Sequence, residues 1–278
     1  MSKGKSKLIA VGGGEMKSST EVLEQITRYF NGRPEGRLTV MTVATSDSEG
    51  AANKYNSLFR GLGIKHIDVV DVSQREDAFA EASLKKIDSA DAIFFTGGDQ
   101  LNITSLMGGS PLHYRLSERL QEGILLVGTS AGAAMMSSSM IISGKSDSPP
   151  RVGGMEIAPG MDLVRDSIID SHFSQRGRHG RLLTAIAHYP QALGIGIDER
   201  TAITMQNGEF KVIGEGTVTV IDGSHMRHTD LPYRKSDETV GMFGVTVHVL
   251  PSGYRFNVKE RKPEAPKLKK LAGVNDDV

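Results

Sequence analysis

Residues 124–134 read Ile-Leu-Leu-Val-Gly-Thr-Ser-Ala-Gly-Ala-Ala, and the fold is decided here. Four apolar residues with no polar break predict a strand buried on both faces of a parallel sheet. The glycines on either side of Ser130 predict a sharp turn from that strand into a helix. This is a G-x-S-x-G nucleophile elbow, which thrusts a serine Oγ above the sheet. The N–H of Ala131, at the helix start, is an oxyanion donor, with the helix dipole helping. A plain small-residue contact between strand and helix is the competing reading, and the buried strand just before the motif weighs against it.

Outward from the elbow, strands are predicted over residues 7–11, 38–44, 67–70 and 91–96, each followed by a helix-period segment: 19–30, 49–62, 75–87, and 102–107 with 114–121. Strand and helix alternating with short joins predict an α/β fold, a mostly parallel central sheet with helices on both faces. Ligands of such sheets sit at the carboxyl ends of the strands, which puts residues 12–15, residues 97–100 and Ser130 on one rim. Gly12, Gly13 and Gly14 fail the dinucleotide pattern because Lys17 stands at its third glycine. Backbone approach to a ligand or a neighbouring loop is the better reading. Downstream, residues 143–154 read as a loop, 168–173 as a strand, 175–188 as a helix and 192–197 as another buried strand. Residues 202–206, 210–213, 217–221 and 245–250 predict a C-terminal antiparallel extension or small second layer. Residues 1–260 are expected to form one α/β domain, and residues 261–278 a charged, disordered tail.

The 278 residues carry 33 basic and 33 acidic side chains, so the formal net charge is zero and nothing points to nucleic acid or an anionic membrane. The absence of cysteine removes disulfides, thiolate metal sites and cysteine nucleophiles together. Residues 1–7 are polar and basic, the apolar run after them is too short for a signal-peptide core, and no segment is long enough to span a membrane. The expectation is a cytoplasmic protein with no metal site, since no histidine pair has helical ligand spacing with carboxylate partners.

A serine nucleophile needs a base, and the base an orienting group. Of the eight histidines, His172 alone ends a short apolar strand as Ser130 does, so it can reach the same rim. Asp198 and Glu199 both follow the buried run 194–197, and either can be the carboxylate. A glycine of the 97–98 pair can supply a second oxyanion donor, because the peptide plane can approach closely there. Arg176, Arg178 and Arg181 crowd the start of a predicted helix, where cations oppose the dipole. A carboxylate-bearing substrate would compensate them, since guanidinium grips carboxylate in a fork; a solvated basic face is the alternative.

Three motifs in order, Phe-Thr-Gly-Gly-Asp-Gln at 95–100, Gly-Thr-Ser-Ala-Gly-Ala at 128–133 and Asp-x-His-Phe-x-Gln-Arg-x-Arg-x-x-Arg at 170–181, resemble those of the cyanophycinases. These are serine peptidases related to dipeptidase E and built like class I glutamine amidotransferases. The resemblance runs over about residues 7–258, and its third motif is the specific one. It implies an amidotransferase-like, flavodoxin-like fold, Ser130 as nucleophile, His172 as base and Glu199 as its orienting group. Chain order Ser, His, Glu differs from the Ser, Asp, His of α/β-hydrolases. Gly98 and Ala131 are expected to form the oxyanion hole, and Gln100, Asp170, Ser171, Arg176, Arg178 and Arg181 to bind substrate. The substrate implied is cyanophycin, a poly-aspartate with arginine on each side-chain carboxyl, cut to β-Asp-Arg dipeptides. No cofactor and a homodimer are also implied. Ser171 departs from the pattern, which has glutamine there, and its shorter side chain alters part of the expected contact. The alternatives are a serine dipeptidase cutting α-linked Asp-Xaa peptides and a non-catalytic binding protein on the same scaffold.

Overall fold

In the computed structural model, residues 7–14 and 20–267 are described. Lys7–Val11 (β1), Arg37–Met41 (β2), His66–Val70 (β3), Ala92–Phe95 (β4) and Leu125–Thr129 (β5) are parallel strands in spatial order β1-β5-β4-β2-β3. Ser139–Gly144 (β6) and Met155–Pro159 (β7) form a hairpin. Ser167–Asp170 (β8) and Leu193–Ile197 (β9) run parallel in a second sheet. Thr201–Gln206 (β10) and Glu209–Gly214 (β11) extend the main sheet antiparallel from β1. Thr217–Asp222 (β12) joins β9. His228–Thr229 (β13) and Met242–Phe243 (β14) pair apart, and Thr246–Pro251 (β15) pairs with β12. Arg255–Asn257 (β16) and Lys262–Glu264 (β17) finish the main sheet beyond β11. The C-terminal extension thus does both things the sequence allows: it widens the main sheet and builds a second one.

Strand residues alternate between two cores, as the pleat requires. Ile9, Val11, Val40, Phe94 and Val127 face Thr20–Arg28 (α1) and Ser48–Gly61 (α2), through Val22, Ile26, Tyr55 and Phe59. Leu8, Ala10, Met41, Phe95 and Leu126 face the other way. There they meet Glu81–Ser89 (α3), Gln100–Met107 (α4) and Pro111–Gln121 (α5), with Ile195, Val218 and Val220 of the second sheet in the same buried cluster. The second sheet therefore takes over part of the face that helices alone were expected to cover. Ala131–Ala134 (α6) follows β5, and His179–His188 (α7) packs Leu182, Ala185 and Ile186 against Ile168 and Phe173.

Several sequence boundaries move. The helix expected over 75–87 is a 3-10 turn, Arg75–Phe79, and α3, with Ala80 extended between them. The Asp77 carboxylate accepts the Ser73 and Gln74 N–H groups at 3.0 Å and closes that turn as a separate unit. The helix expected over 175–188 is likewise split. Gly177 takes a left-handed φ of 53° after the 3-10 turn Ser174–Arg176, and α7 starts at His179. A Cβ at Gly177 would fall 1.7 Å from Asp147 Oδ1, so the chain turns where only glycine fits. The disordered tail predicted from residue 261 does not begin there: Lys262–Glu264 pairs antiparallel with Arg255–Asn257, and the Arg261 guanidinium bonds the Asp222 carboxylate and the Gln191 carbonyl. Charge and proline, read as disorder, are also what an edge strand carries to prevent further pairing. The rest of that predicted tail, residues 268–278, lies outside the described residues, as do Glu15 and Lys17.

Candidate active site

Ser130 follows β5, whose sheet neighbours are β1 and β4, so the loops after all three strands meet above it. Its φ of 53° is left-handed, and its N–H donates to the Val11 carbonyl at 3.0 Å. A non-glycine residue there stores about 1–3 kcal/mol of strain, held by the packing around it. His172 stands on a second such turn, φ 48°, just past β8, with its N–H on the Gly12 carbonyl at 2.8 Å. The two strained turns face each other. Ser130 Oγ lies 3.0 Å from His172 Nε2, and His172 Nδ1 lies 2.7 Å from Glu199 Oε1.

Of the two candidate carboxylates, Glu199 faces the imidazole. Asp198 points the other way and accepts the N–H of Ser174 at 3.0 Å, the N–H of Thr217 at 3.0 Å and the Thr217 hydroxyl at 2.9 Å. Glu199 is itself tied down, its N–H donating to Gln175 Oε1 at 2.9 Å. Sequence reading placed Gln175 in a motif without giving it this contact; a polar residue between two functional ones was its only signal. The glycines after β1 touch the same group. At Gly13, φ 96°, a Cβ would fall 2.3 Å from the His172 ring, and at Gly14 one would meet Glu199 at 3.1 Å. Approach to a neighbouring loop is therefore what that run permits.

Burial, the largest influence, pushes the His172 pKa down; Glu199 opposes it, and the cations Arg176 and Arg178 reinforce it. The imidazole is thereby kept neutral near pH 7, the state a general base requires.

Beside Ser130 lies a cleft of about 250 Å³ lined by Gly98, Asp99, Gln100, Ala131, Ile141 and Ile142, and by Asp170, Ser171, Arg176, Arg178 and Arg181. All the residues expected to bind substrate and both expected oxyanion donors thus border one space. Helix α6 has only four residues, so its N–H groups matter there more than its dipole. The arginines differ among themselves. Arg181 is buried, and its Nε donates to Asp170 Oδ2 at 2.7 Å. Arg178 Nη1 reaches Asp170 Oδ1 at 3.1 Å and the Ser171 carbonyl at 2.6 Å. Asp170 therefore supplies much of the compensation that the crowded cations require. Arg178 Nε remains buried without a partner among the described residues, and the Arg176 guanidinium also has none there. Burial lowers Arg178 to about 10, with Arg181 and Arg176 adding to it against Asp170, so it stays charged at neutral pH. Three guanidiniums line the cleft against two carboxylates, which leaves it cationic. Gln100 Nε2 donates to the Ile141 carbonyl at 2.6 Å and draws the β6–β7 hairpin over the cleft. That hairpin went unread in the sequence.

Residues 8–213 match Peptidase family S51. The chain belongs to that family. As an S51 member it is a serine-type peptidase. It is 34% identical over 263 residues to a cyanophycinase of Geminocystis herdmanii, covering 94% of this chain and 97% of the relative. A cyanophycinase of Trichormus variabilis is 33% identical over 262 residues, 92% and 87% of the two chains. A solved peptidase from an acI-B1 Actinobacterium superposes with a TM-score of 0.63 at 22% identity, over 86% of this chain and 97% of that one, and shares the fold. Among the described residues no group of three or more histidine, aspartate or glutamate side chains is placed to hold a metal ion, and no helix is long and apolar enough to cross a membrane.

Proposed function

We propose that this S51 peptidase hydrolyses cyanophycin from a chain end, releasing β-Asp-Arg dipeptides through an acyl-enzyme on Ser130. The observation that carries the reading is a hydrogen-bonded Ser130–His172–Glu199 relay, 3.0 and 2.7 Å long, opening on a cationic cleft. The likeness to cyanophycinases along almost the whole chain supports the substrate.

In this reading His172 Nε2 takes the Ser130 proton as Oγ attacks the scissile carbonyl. Glu199 holds Nδ1–H, which fixes the tautomer and steadies the imidazolium. The oxyanion receives the N–H groups of Gly98 and Ala131. Collapse returns the proton to the leaving amine; water, deprotonated by His172, then cleaves the ester. Arg176 and the free edge of Arg178 take substrate carboxylates, with Gln100 and Ser171 beside them and Asp170 and Arg181 fixing the wall. A homodimer, which rests on family resemblance, and a cytoplasmic location, which rests on the reading of the N-terminal sequence, belong to the same proposal.

The test is mass spectrometry of products from purified cyanophycin, with wild type and Ser130→Ala. Wild type should release β-Asp-Arg and the variant none. Retained activity in Ser130→Ala overturns the nucleophile, and cleavage of α-linked Asp-Xaa peptides in preference to cyanophycin overturns the substrate.

A further inference from the structure

The arginine-lined cleft occupies one side of Ser130. On the other side a second cleft, of about 350 Å³, is lined by Gly13, Gly14, Lys54, Tyr55, Gly97, Ser130, His172, Arg176 and Glu199. It continues past Lys54, Tyr55 and Gly97 into a third, of about 390 Å³, bordered by Thr45, Asp47, Gly50, Ala51 and Thr96. Its far wall, Thr45, Asp47, Gly50, Ala51, Lys54 and Tyr55, lies outside the three sequence motifs. A polymer cut at Ser130 must nonetheless lie on both sides of the serine.

The charges along this path are distributed unevenly. Glu199 is engaged with His172. Asp47 caps α2 with one oxygen, Oδ1, accepting the Gly50 N–H at 2.9 Å, and its side chain is otherwise exposed. Lys54 is exposed and has no ion-pair partner among the described residues. Its place is fixed by its neighbour. The Tyr55 ring packs 4.8 Å from Phe94 of β4, and Phe59, one turn on in the same helix, packs 5.1 Å from that ring, so α2 is held against rolling and carrying Lys54 away from the cleft. Asp47 and Lys54 are seven residues apart on one helix, roughly 10 Å along its axis. The path therefore presents two cations, Arg176 beside the serine and Lys54 farther along, and one half-free carboxylate at Asp47.

Resting on the proposed function, we infer that Lys54 and Asp47 form a subsite for one arginine branch of the substrate on the side of Ser130 away from Arg178 and Arg181. Each repeat of cyanophycin carries a free arginine carboxylate and a guanidinium. Lys54 receives the carboxylate and Asp47 the guanidinium, and the branch lies along α2 between them. Both contacts are solvent-exposed, so each is worth on the order of 1 kcal/mol, about fivefold in KM. They act on binding rather than on the reacting atoms, so kcat changes little.

The experiment compares wild type, Lys54→Met and Asp47→Asn on three synthetic aspartate oligomers: one with native arginine branches, one with the arginine carboxylates amidated and one with citrulline in place of arginine. Asparagine keeps the helix cap, so Asp47→Asn removes charge without removing the cap. Lys54→Met is expected to raise KM about fivefold on the native oligomer, with kcat within about twofold, and to add nothing on the amidated one. Asp47→Asn is expected to do the same on the native oligomer and nothing on the citrulline one. A variant equal to wild type on the native oligomer, or one losing as much on its matched control, overturns the subsite. Wild type failing on cyanophycin and the native oligomer alike overturns the proposed function, and the subsite falls with it.

Discussion

His172 is set between a cation and an anion, and that position predicts its pH behaviour. Burial first, then Arg176 and Arg178, lower its pKa, while Glu199 raises it. The base works neutral, so activity should rise with pH through a midpoint below the ordinary histidine value of about 6.5. Arg176→Ala removes a nearby cation, so the acid limb should move to higher pH. Glu199→Gln removes the stabilising anion; the limb should move lower while kcat falls by roughly 10²–10⁴-fold. Asp198→Asn should leave the limb in place and lower Tm instead, because its carboxylate bonds Ser174 and Thr217 and not the imidazole. A kcat/KM profile between pH 5 and 8 checks all three variants. An Asp198 variant that moves the limb would reverse the choice of carboxylate.

At the scale of elements, the glycine run after β1 carries the next prediction. Gly13 and Gly63 both have left-handed φ, 96° and 90°, but a Cβ at Gly63 meets nothing within 4 Å, whereas one at Gly13 strikes the His172 ring. Alanine should destabilise either position by about 1–2 kcal/mol through the backbone. Only Gly13→Ala should also displace the imidazole, and a shift near 1 Å costs about 10²-fold in rate. Equal kcat in the two variants would sink the argument. This pair also marks how far the sequence could be read. The buried strand and elbow at 124–134 were legible because four apolar residues and two flanking glycines allow few alternatives. His172 and the 198–199 pair were legible because they end short apolar strands. Which of the two carboxylates faces the base was not, since neighbouring residues after a strand differ only in direction. The break at Gly177 was also hidden: its cause is Asp147, thirty residues away in the chain and against it in space.

Across the whole molecule the two sheets are tied at the end remote from the active site, and the tie comes from the segment that reads as a disordered tail. Arg261, just before β17, bonds the Asp222 carboxylate at the end of β12 and the carbonyl of Gln191. Asp222 pairs in register with Leu193, at the start of β9, while Glu199 follows that strand's other end, roughly 16 Å away. Arg261→Ala should therefore leave kcat unchanged and cost about 1–3 kcal/mol of stability, since a mostly buried carboxylate loses a charged donor. The pH dependence has a definite sign. Burial is the largest single influence on Asp222 and pushes its pKa up, but the Ser224 N–H and hydroxyl and the Arg261 guanidinium together hold it below the ordinary carboxylate value. A depressed folded pKa gives stability that is present above the unfolded value, about 3.9, and is lost as pH falls through the folded one. The gap between wild type and Arg261→Ala should accordingly be largest at neutral pH and narrow toward about pH 3. Urea midpoints for both proteins at the two pH values measure it. A gap that stays constant would mean that Arg261 acts through Gln191 alone, and that the carboxylate of Asp222 contributes nothing to holding the C-terminal edge strand in place.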